Sequence, residues 1–311
     1  MITFQQVVKQ YASGRALDEL TLTIPDNEIF VLVGPSGSGK TTTLKMINRL
    51  IEPTSGSIEI DGQPIDQMAL QTLRLNTGYV LQNIALFPNL TIEENITIQL
   101  EVLKWPKAKR SERAKELLTL VNLDPVQYAH RYPHELSGGE QQRIGIIRAL
   151  ATNPKVILMD EPFSALDPVI KTQLQDLVIQ LQQQLHNTVI FVTHDMKEAL
   201  RLGQTIAVMK AGKIQQVGTA ETIFNQPENE FVREFFDIER APVTETVQDL
   251  LVSGLGRPLT NQPPRLQATD SLESLAQALL QQPTGVCVQY QQQAWLLTMA
   301  DLTTFIAKRG V

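Results

Sequence analysis

The sequence predicts an α/β fold: a parallel core sheet with helices packed on it, preceded by an antiparallel β region and followed by a small α+β unit. Three observations predict it. Short apolar, β-branched runs recur at 28–34 (EIFVLVG), 155–161 (KVILMDE) and 188–194 (TVIFVTH), as strands buried on both faces require. Helix-forming stretches lie between them, among them 110–121 and 140–152, and strands alternating with helices imply a parallel sheet. From residue 241 the composition shifts: residues 241–311 hold ten glutamines and only nine charged residues.

Taken in order, FQQVVKQYA (4–12) and SIEIDGQPI (57–65) alternate as antiparallel strands do, and Asp61-Gly62 suits a tight turn. The stretch 205–218 (TIAVMKAGKIQQVG) reads as a hairpin around Ala211-Gly212, and NEFVREFFDIE (229–239) closes a first domain, 1–240. In the second, 241–311, the prolines of RPLTNQPPRLQATD (257–270) predict a loop. SLESLAQALLQQ then reads as a helix with Ser271 as N-cap. Two strands, 285–290 and 294–298, and a last helix from about residue 300 follow. No repeat of the whole chain and no coiled-coil heptad is visible.

The 311 residues are 42% hydrophobic and 19% charged, which suits a globular protein with a proper core. A net charge of -6 argues against a nucleic-acid binder, which usually carries a basic face. The single cysteine, Cys287, excludes a disulfide framework and a cysteine-rich zinc site. The stretch MITFQQVVKQ lacks the apolar core of a signal peptide. No apolar run approaches the ~18–20 residues that cross a bilayer, so work at a membrane would need other chains to do the crossing.

The chemistry is concentrated in a few motifs. Gly34, Pro35, Ser36, Gly37, Ser38, Gly39, Lys40, Thr41 and Thr42 match G-x-x-x-x-G-K-[ST] between an apolar strand and a helix. In that motif backbone N–H groups wrap phosphates, the lysine (Lys40) reaches the β and γ oxygens, and the hydroxyl of Thr41 holds Mg²⁺. Asp160, ending the strand VILM, is a candidate Mg²⁺ ligand, and Glu161 a candidate general base for water. Gln82 follows an apolar strand and would sense Mg²⁺ and the γ-phosphate, or be a polar loop residue. His194 ends a third strand, as a γ-phosphate contact or a structural histidine. Tyr11, about 23 residues before Gly34, stacks on adenine or simply packs. Ser137, Gly138 and Gly139 precede a helical run, where free N–H groups and the helix dipole favour a second phosphate.

Together the order of these motifs resembles that of ATP-binding cassette (ABC) ATPases over about residues 1–235. The resemblance implies a P-loop fold with an antiparallel β subdomain and a helical signature subdomain, and ATP and Mg²⁺ as cofactors. It also implies a head-to-tail dimer, of two identical chains in the simplest case, in which LSGGE (136–140) of one cassette covers the ATP of the other. Ser137, Gly138 and Gly139 would then hold the partner's γ-phosphate. Glu140, where the family usually has glutamine, would put a carboxylate near phosphates. The D-loop Ser164, Ala165, Leu166 and Asp167 would run along the same interface.

Repair and chromosome-organising members carry long coiled coils between P-loop and signature. Here that gap is about 95 residues and shows none, which favours a transporter over a soluble ATPase. KMINRLIEPTSGSIEIDGQPI (45–65), LFPNLTIEENI (86–96) and NLDPVQYAHRYPHELSGGEQQR (122–143) resemble the ATPase of importers for quaternary amines. That resemblance implies glycine betaine, proline betaine, carnitine or choline as solute, with amino-acid or other polar-solute importers as the alternative. It implies permease subunits docking around Gln82 to Pro88, an outer solute-binding protein or domain, and a peripheral place on the cytoplasmic face of the membrane. Residues 266–307 resemble one degenerate CBS (cystathionine-β-synthase type) module. Thr298 and Asp301 match its nucleotide-contacting T-x-x-D, so the tail is expected to dimerise or regulate, or to sense a nucleotide.

Overall fold

A computed structural model describes residues 1–82, 84–164, 166–240, 246–259, 264–291 and 293–309, without the side chains of 237–240 and 306–309. The chain divides into two compact units, Met1–Phe236 and Asp237–Val311.

The first unit opens with the antiparallel pair β1 (Ile2–Tyr11) and β2 (Gly14–Ile24). The buried β3 (Ile29–Val33) and α1 (Lys40–Ile47) come next, then β4 (Ser55–Ile60), β5 (Gln63–Pro64), α2 (Leu70–Leu75) and β6 (Thr77–Val80). Strands β2-β1-β4-β5 form one antiparallel sheet in that order. Its β4–β5 turn has Asp61 at φ 53° and Gly62 at φ 75°, the two left-handed positions that an Asp-Gly pair supplies. Four helices follow: α3 (Ile92–Val102), α4 (Lys107–Leu120), α5 (Pro125–Tyr128) and α6 (Gly138–Ala149). Thr91 and Glu94 start α3 with a reciprocal capping box.

The chain then alternates through β7 (Val156–Asp160), α7 (Pro168–Leu185), β8 (Thr188–Thr193) and α8 (Met196–Leu202), and ends in β9 (Thr205–Lys210), β10 (Lys213–Gly218), α9 (Ala220–Asn225) and α10 (Glu230–Arg240). The central sheet runs β10-β9-β3-β8-β7-β6, parallel except for the β9–β10 hairpin. Every residue of β3, β7 and β8 is buried, which is why these strands read as unbroken apolar runs. Side chains alternate between two cores. Val31, Met159, Val189 and Phe191 join the core formed with the helices. Leu32, Leu158, Ile190 and Val192 join the core formed with α1 and the antiparallel sheet. Each such buried side chain contributes about 1.5–3 kcal/mol relative to exposure, so the sheet is a rigid platform for whatever stands on its edge.

In the second unit α11 (Val247–Val252) precedes β11 (Arg257–Leu259), β12 (Leu266–Gln267), α12 (Leu272–Gln281), β13 (Val286–Tyr290), β14 (Gln293–Leu297) and α13 (Met299–Arg309). The sheet order is β11-β14-β13-β12. Leu250, Leu275, Leu279, Val286, Val288, Leu297 and Phe305 form a core of its own, and Ser271 caps α12 by accepting from Ser274 N–H. The stretch 257–270 departs from the predicted loop: it carries β11 and β12, and 260–263 lie outside the described residues. Pro258 is tolerated there because β11 is an edge strand, where a missing N–H leaves no ladder partner short.

Candidate active site

Parallel pairing brings three strand ends level. Val33 lies opposite Thr193 and Asp160 opposite Val192, so the residues that follow β3, β7 and β8 share one edge of the sheet. That edge is where ligands bind in open α/β sheets. The phosphate loop leaves β3 at Gly34, which has φ 157° and no room for a side chain: a Cβ would lie 2.2 Å from the Met209 carbonyl oxygen. Pro35, Ser36 and Gly37 form its exposed rim, Ser38 is buried, and Gly39, at φ 104°, is the N-cap of α1. The β1–β2 hairpin leans on the loop from the side. Ala16 O and Leu17 lie 2.7 Å from where a Cβ on Gly39 would be, and Gly212 N–H donates to Ser38 O at 2.9 Å.

Lys40 is buried and lies back across the loop, its Nζ donating to Gly34 O at 2.8 Å and Pro35 O at 3.0 Å. Burial pulls its ammonium below the ordinary lysine range, opposed by the charges of Glu161 and Asp160. Thr41 Oγ1 donates to Asp160 Oδ1 at 2.8 Å, and Thr42 is half-buried beside it. Tyr79, on β6, donates to Asp160 Oδ2 at 3.3 Å. Burial first, and the Asp160 charge next, raise this phenol well above its ordinary range, so it remains a donor.

Glu161 turns away from its neighbour. Its backbone has φ 45°, its N–H donates to Val192 O, and its Oε2 lies 2.8 Å from His194 Nδ1. The imidazole is half exposed. Gln82 is exposed and reaches Ser164 Oγ through Nε2 at 3.5 Å. Tyr11 ends β1 with its ring partly exposed and Lys9 Nζ 5.1 Å from the ring centroid.

The signature residues form a second group. Ser137 is the exposed N-cap of α6, with Gly138 and Gly139 in its first turn. Glu140 folds back in a capping box: Oε2 accepts from Ser137 N–H at 2.8 Å and from Ser137 Oγ at 2.7 Å, while Tyr128 donates to Oε1 at 2.6 Å. The Tyr128 hydroxyl foremost, with Ser137 behind it, holds this carboxyl below the usual glutamate range. Among the described residues no hydrogen bond or ion pair joins 137–140 to the phosphate loop. Leu166 approaches Gly138, and Ile170 approaches Gly139, so the start of α7 flanks the signature. Asp167 caps α7, accepting from Val169 and Ile170 N–H; Ser164 is exposed, and Ala165 lies outside the described residues.

Two features escape the sequence reading. Tyr79 carries no motif, and only the β6–β7 pairing places it by Asp160. The Glu140 capping box had a signal in the S-x-x-E spacing. A cavity of about 760 Å³ opens at the opposite ends of the strands, among Thr77, Val156 and Thr188, and shares no residue with either group. The described residues include no cluster of three metal-ligating side chains of the His, Cys, Asp and Glu type, and no helix long and apolar enough to cross a membrane.

Known proteins identify the family. The profile described as ABC transporter matches residues 17–164. A glycine betaine/carnitine/choline transport ATP-binding protein of Bacillus subtilis is 52% identical over 256 residues, 81% of this chain and 67% of the relative. An osmoprotectant import ATP-binding protein of Salmonella typhimurium is 47% identical over 276 residues, 87% of this chain and 71% of the relative. Among solved structures, an ATP-binding cassette captured as a post-hydrolysis dimer with ADP and Pi superposes with a TM-score of 0.63 at 35% identity, covering 71% of this chain and 99% of the other. With the strand-end cluster and the separate signature group both in place, the chain belongs to the ABC transporter family as one of its ATP-binding, ATP-hydrolysing subunits.

Proposed function

We propose that this chain works as a pair of cassettes on the cytoplasmic face of a membrane, driving import of quaternary-ammonium osmoprotectants such as glycine betaine, carnitine or choline through separate permease subunits. The observation that carries the solute class is the 47–52% identity, over more than four fifths of the chain, to relatives named for glycine betaine/carnitine/choline transport and for osmoprotectant import. A solute-binding protein or domain on the outer side would deliver the solute, by cation–π contact with aromatic side chains.

In this reading Tyr11 stacks on adenine, and Gly34 to Thr42 hold the phosphates. The oxygen donors Thr41, Asp160 and Gln82 suit a hard cation, and their hydroxyl and carboxylate already lie 2.8 Å apart. Mg²⁺ held there would offset negative charge on the β and γ oxygens. Glu161 takes the proton of the attacking water, and His194, in contact with Glu161, senses the γ-phosphate. Ser137, Gly138 and Gly139 close over the partner's ATP, so the site is complete only in the dimer and turnover follows closure. Residues 241–311 act as a small dimerisation or regulatory module.

The test is ATP turnover by this chain co-purified with its permease subunits in lipid, with glycine betaine, carnitine, choline and proline set against amino acids. Stimulation by quaternary amines alone is the expected result. Stimulation by an amino acid alone would discard the solute class and keep the importer. Solute-blind activity with no co-purifying membrane chain would discard the transporter reading.

A further inference from the structure

A charged cluster beside the strand-end site has no part in the chemistry above. Lys171 lies one turn into α7, where its N–H makes the helix's bond to the Asp167 carbonyl. Its Nζ bonds Asp195 Oδ2 at 2.5 Å and Glu198 Oε1 at 3.0 Å. Glu198 is 4% exposed, and its other oxygen accepts from the Thr193 hydroxyl. Thr193 Oγ1 in turn accepts from Asp195 N–H at 3.0 Å, while Asp195 Oδ1 caps α8 through Lys197 and Glu198 N–H. Both chain neighbours of His194 are thus locked, Thr193 by Glu198 and Asp195 by Lys171.

We infer that Lys171, Glu198 and Asp195 form a charge clamp that positions His194, and through it Glu161, and that ties this pair to the D-loop end of α7. The clamp is built where a change in one part reaches the others. Asp167 is the N-cap of α7, Lys171 is the next turn, and the ammonium is the only described cation bonded to either carboxylate. A buried glutamate such as Glu198 is retained only when paired. Nothing local to α8 requires it, since Asp195 already caps that helix. A D-loop displaced at the dimer interface would therefore move the two residues that flank His194, along a contiguous path of ion pairs. This rests on the reading of His194 and Glu161 given above. Lys171 touches no substrate and acts as a positioning residue.

The experiment compares Lys171→Met, Lys171→Arg and the charge-balanced double variant Lys171→Met/Glu198→Gln in the full chain. It measures kcat and KM for ATP, and the ATP-bound dimer by size-exclusion chromatography. Small misplacement of catalytic groups costs up to ~10²-fold in rate, so kcat of Lys171→Met is expected to fall roughly 10–100-fold with KM within about twofold. ATP-bound dimer should accumulate, and Lys171→Arg should recover most of the rate. The double variant leaves no unpaired charge on Glu198, so it answers for folding; its kcat should stay low. Recovery of kcat in the double variant, or an equal loss in kcat and ATP binding across all three, would overturn the clamp. Glu161→Gln run alongside separates the two ideas: if that variant turns over normally, the base assignment fails whatever Lys171 does.

Discussion

Glu161 and Asp160 are adjacent carboxylates with different surroundings, and one backbone angle separates them. Asp160 finishes β7 in extended geometry and faces Thr41 and Tyr79. At Glu161 the chain turns to φ 45°, a conformation costing a non-glycine residue about 1–2 kcal/mol, and sends the next carboxylate to His194 instead. Strain of that kind persists where surrounding structure fixes it, and it concentrates at functional sites. Here the Glu161 N–H bond to Val192 O and the level strand ends fix it. Loss of a general base typically slows turnover ~10²–10⁴-fold, or about 3–5 kcal/mol on the barrier. Glu161→Gln is therefore expected to bind ATP and dimerise normally while hydrolysing that much more slowly, as phosphate release would record. A rate within threefold of the parent would move the base elsewhere. Glu140 shows the opposite case, a carboxylate whose lone pairs go to Ser137 and Tyr128 in its own chain.

The segment between β6 and α3, the expected permease-docking stretch, depends on one buried side chain at the level of elements. Asn95 is fully buried; its Nδ2 donates to the carbonyls of Phe87, Leu90 and Thr91, and its Oδ1 accepts from Phe87 N–H. Arg148, from α6, donates to Ala85 O at 2.7 Å on the other side. Phe87 is left 46% exposed on a pinned loop, and Asn83 lies outside the described residues. An exposed aromatic on a fixed backbone is what a docking contact needs. Asn95→Ala removes the four bonds made by this side chain, keeps the Arg148 bond to Ala85 O, and leaves the phosphate loop untouched. The isolated chain should keep its ATP turnover within about twofold, while solute stimulation in the assembled transporter should fall roughly tenfold, within the usual range of site-to-site coupling. Unchanged stimulation would show that the loop needs no pinning to dock. The sequence carried much of this architecture: β3, β7 and β8 were legible because full burial forces unbroken apolar runs, and the phosphate loop because its glycines are sterically required. Tyr79 and Asn95 were not legible. Each acts through a partner set by strand register or loop course, and a lone tyrosine or asparagine looks the same wherever its partner lies. The strands inside 257–270 were hidden for a related reason, since prolines speak for a loop until an edge position excuses them.

For the whole molecule, the question is whether the second unit reads the nucleotide that the first one consumes. It has its own core, and the two residues matched to a nucleotide contact are engaged with each other: Asp301 Oδ2 accepts from Thr298 N–H at 2.9 Å and from Thr298 Oγ1 at 2.6 Å, starting α13. Thr246 and Asp249 do the same at α11, at 2.9 and 3.0 Å. A T-x-x-D that also appears where no ribose contact is expected is explained by helix capping alone. Two units with separate cores should melt in two steps, and ligand stabilises only the unit that binds it. At 100 times its Kd, ATP adds about 2.7 kcal/mol, which raises Tm by roughly 5–10 °C for a cassette-sized domain. Calorimetry with the non-hydrolysing Glu161→Gln chain should therefore show the larger transition moving by that amount while the smaller, broader one of residues 237–311 stays in place. ADP, AMP and ATP should all leave it there. A nucleotide-dependent shift of the small transition in that experiment, abolished by Asp301→Ala, would mean that the capping box opens to a ribose, and that the tail senses nucleotide.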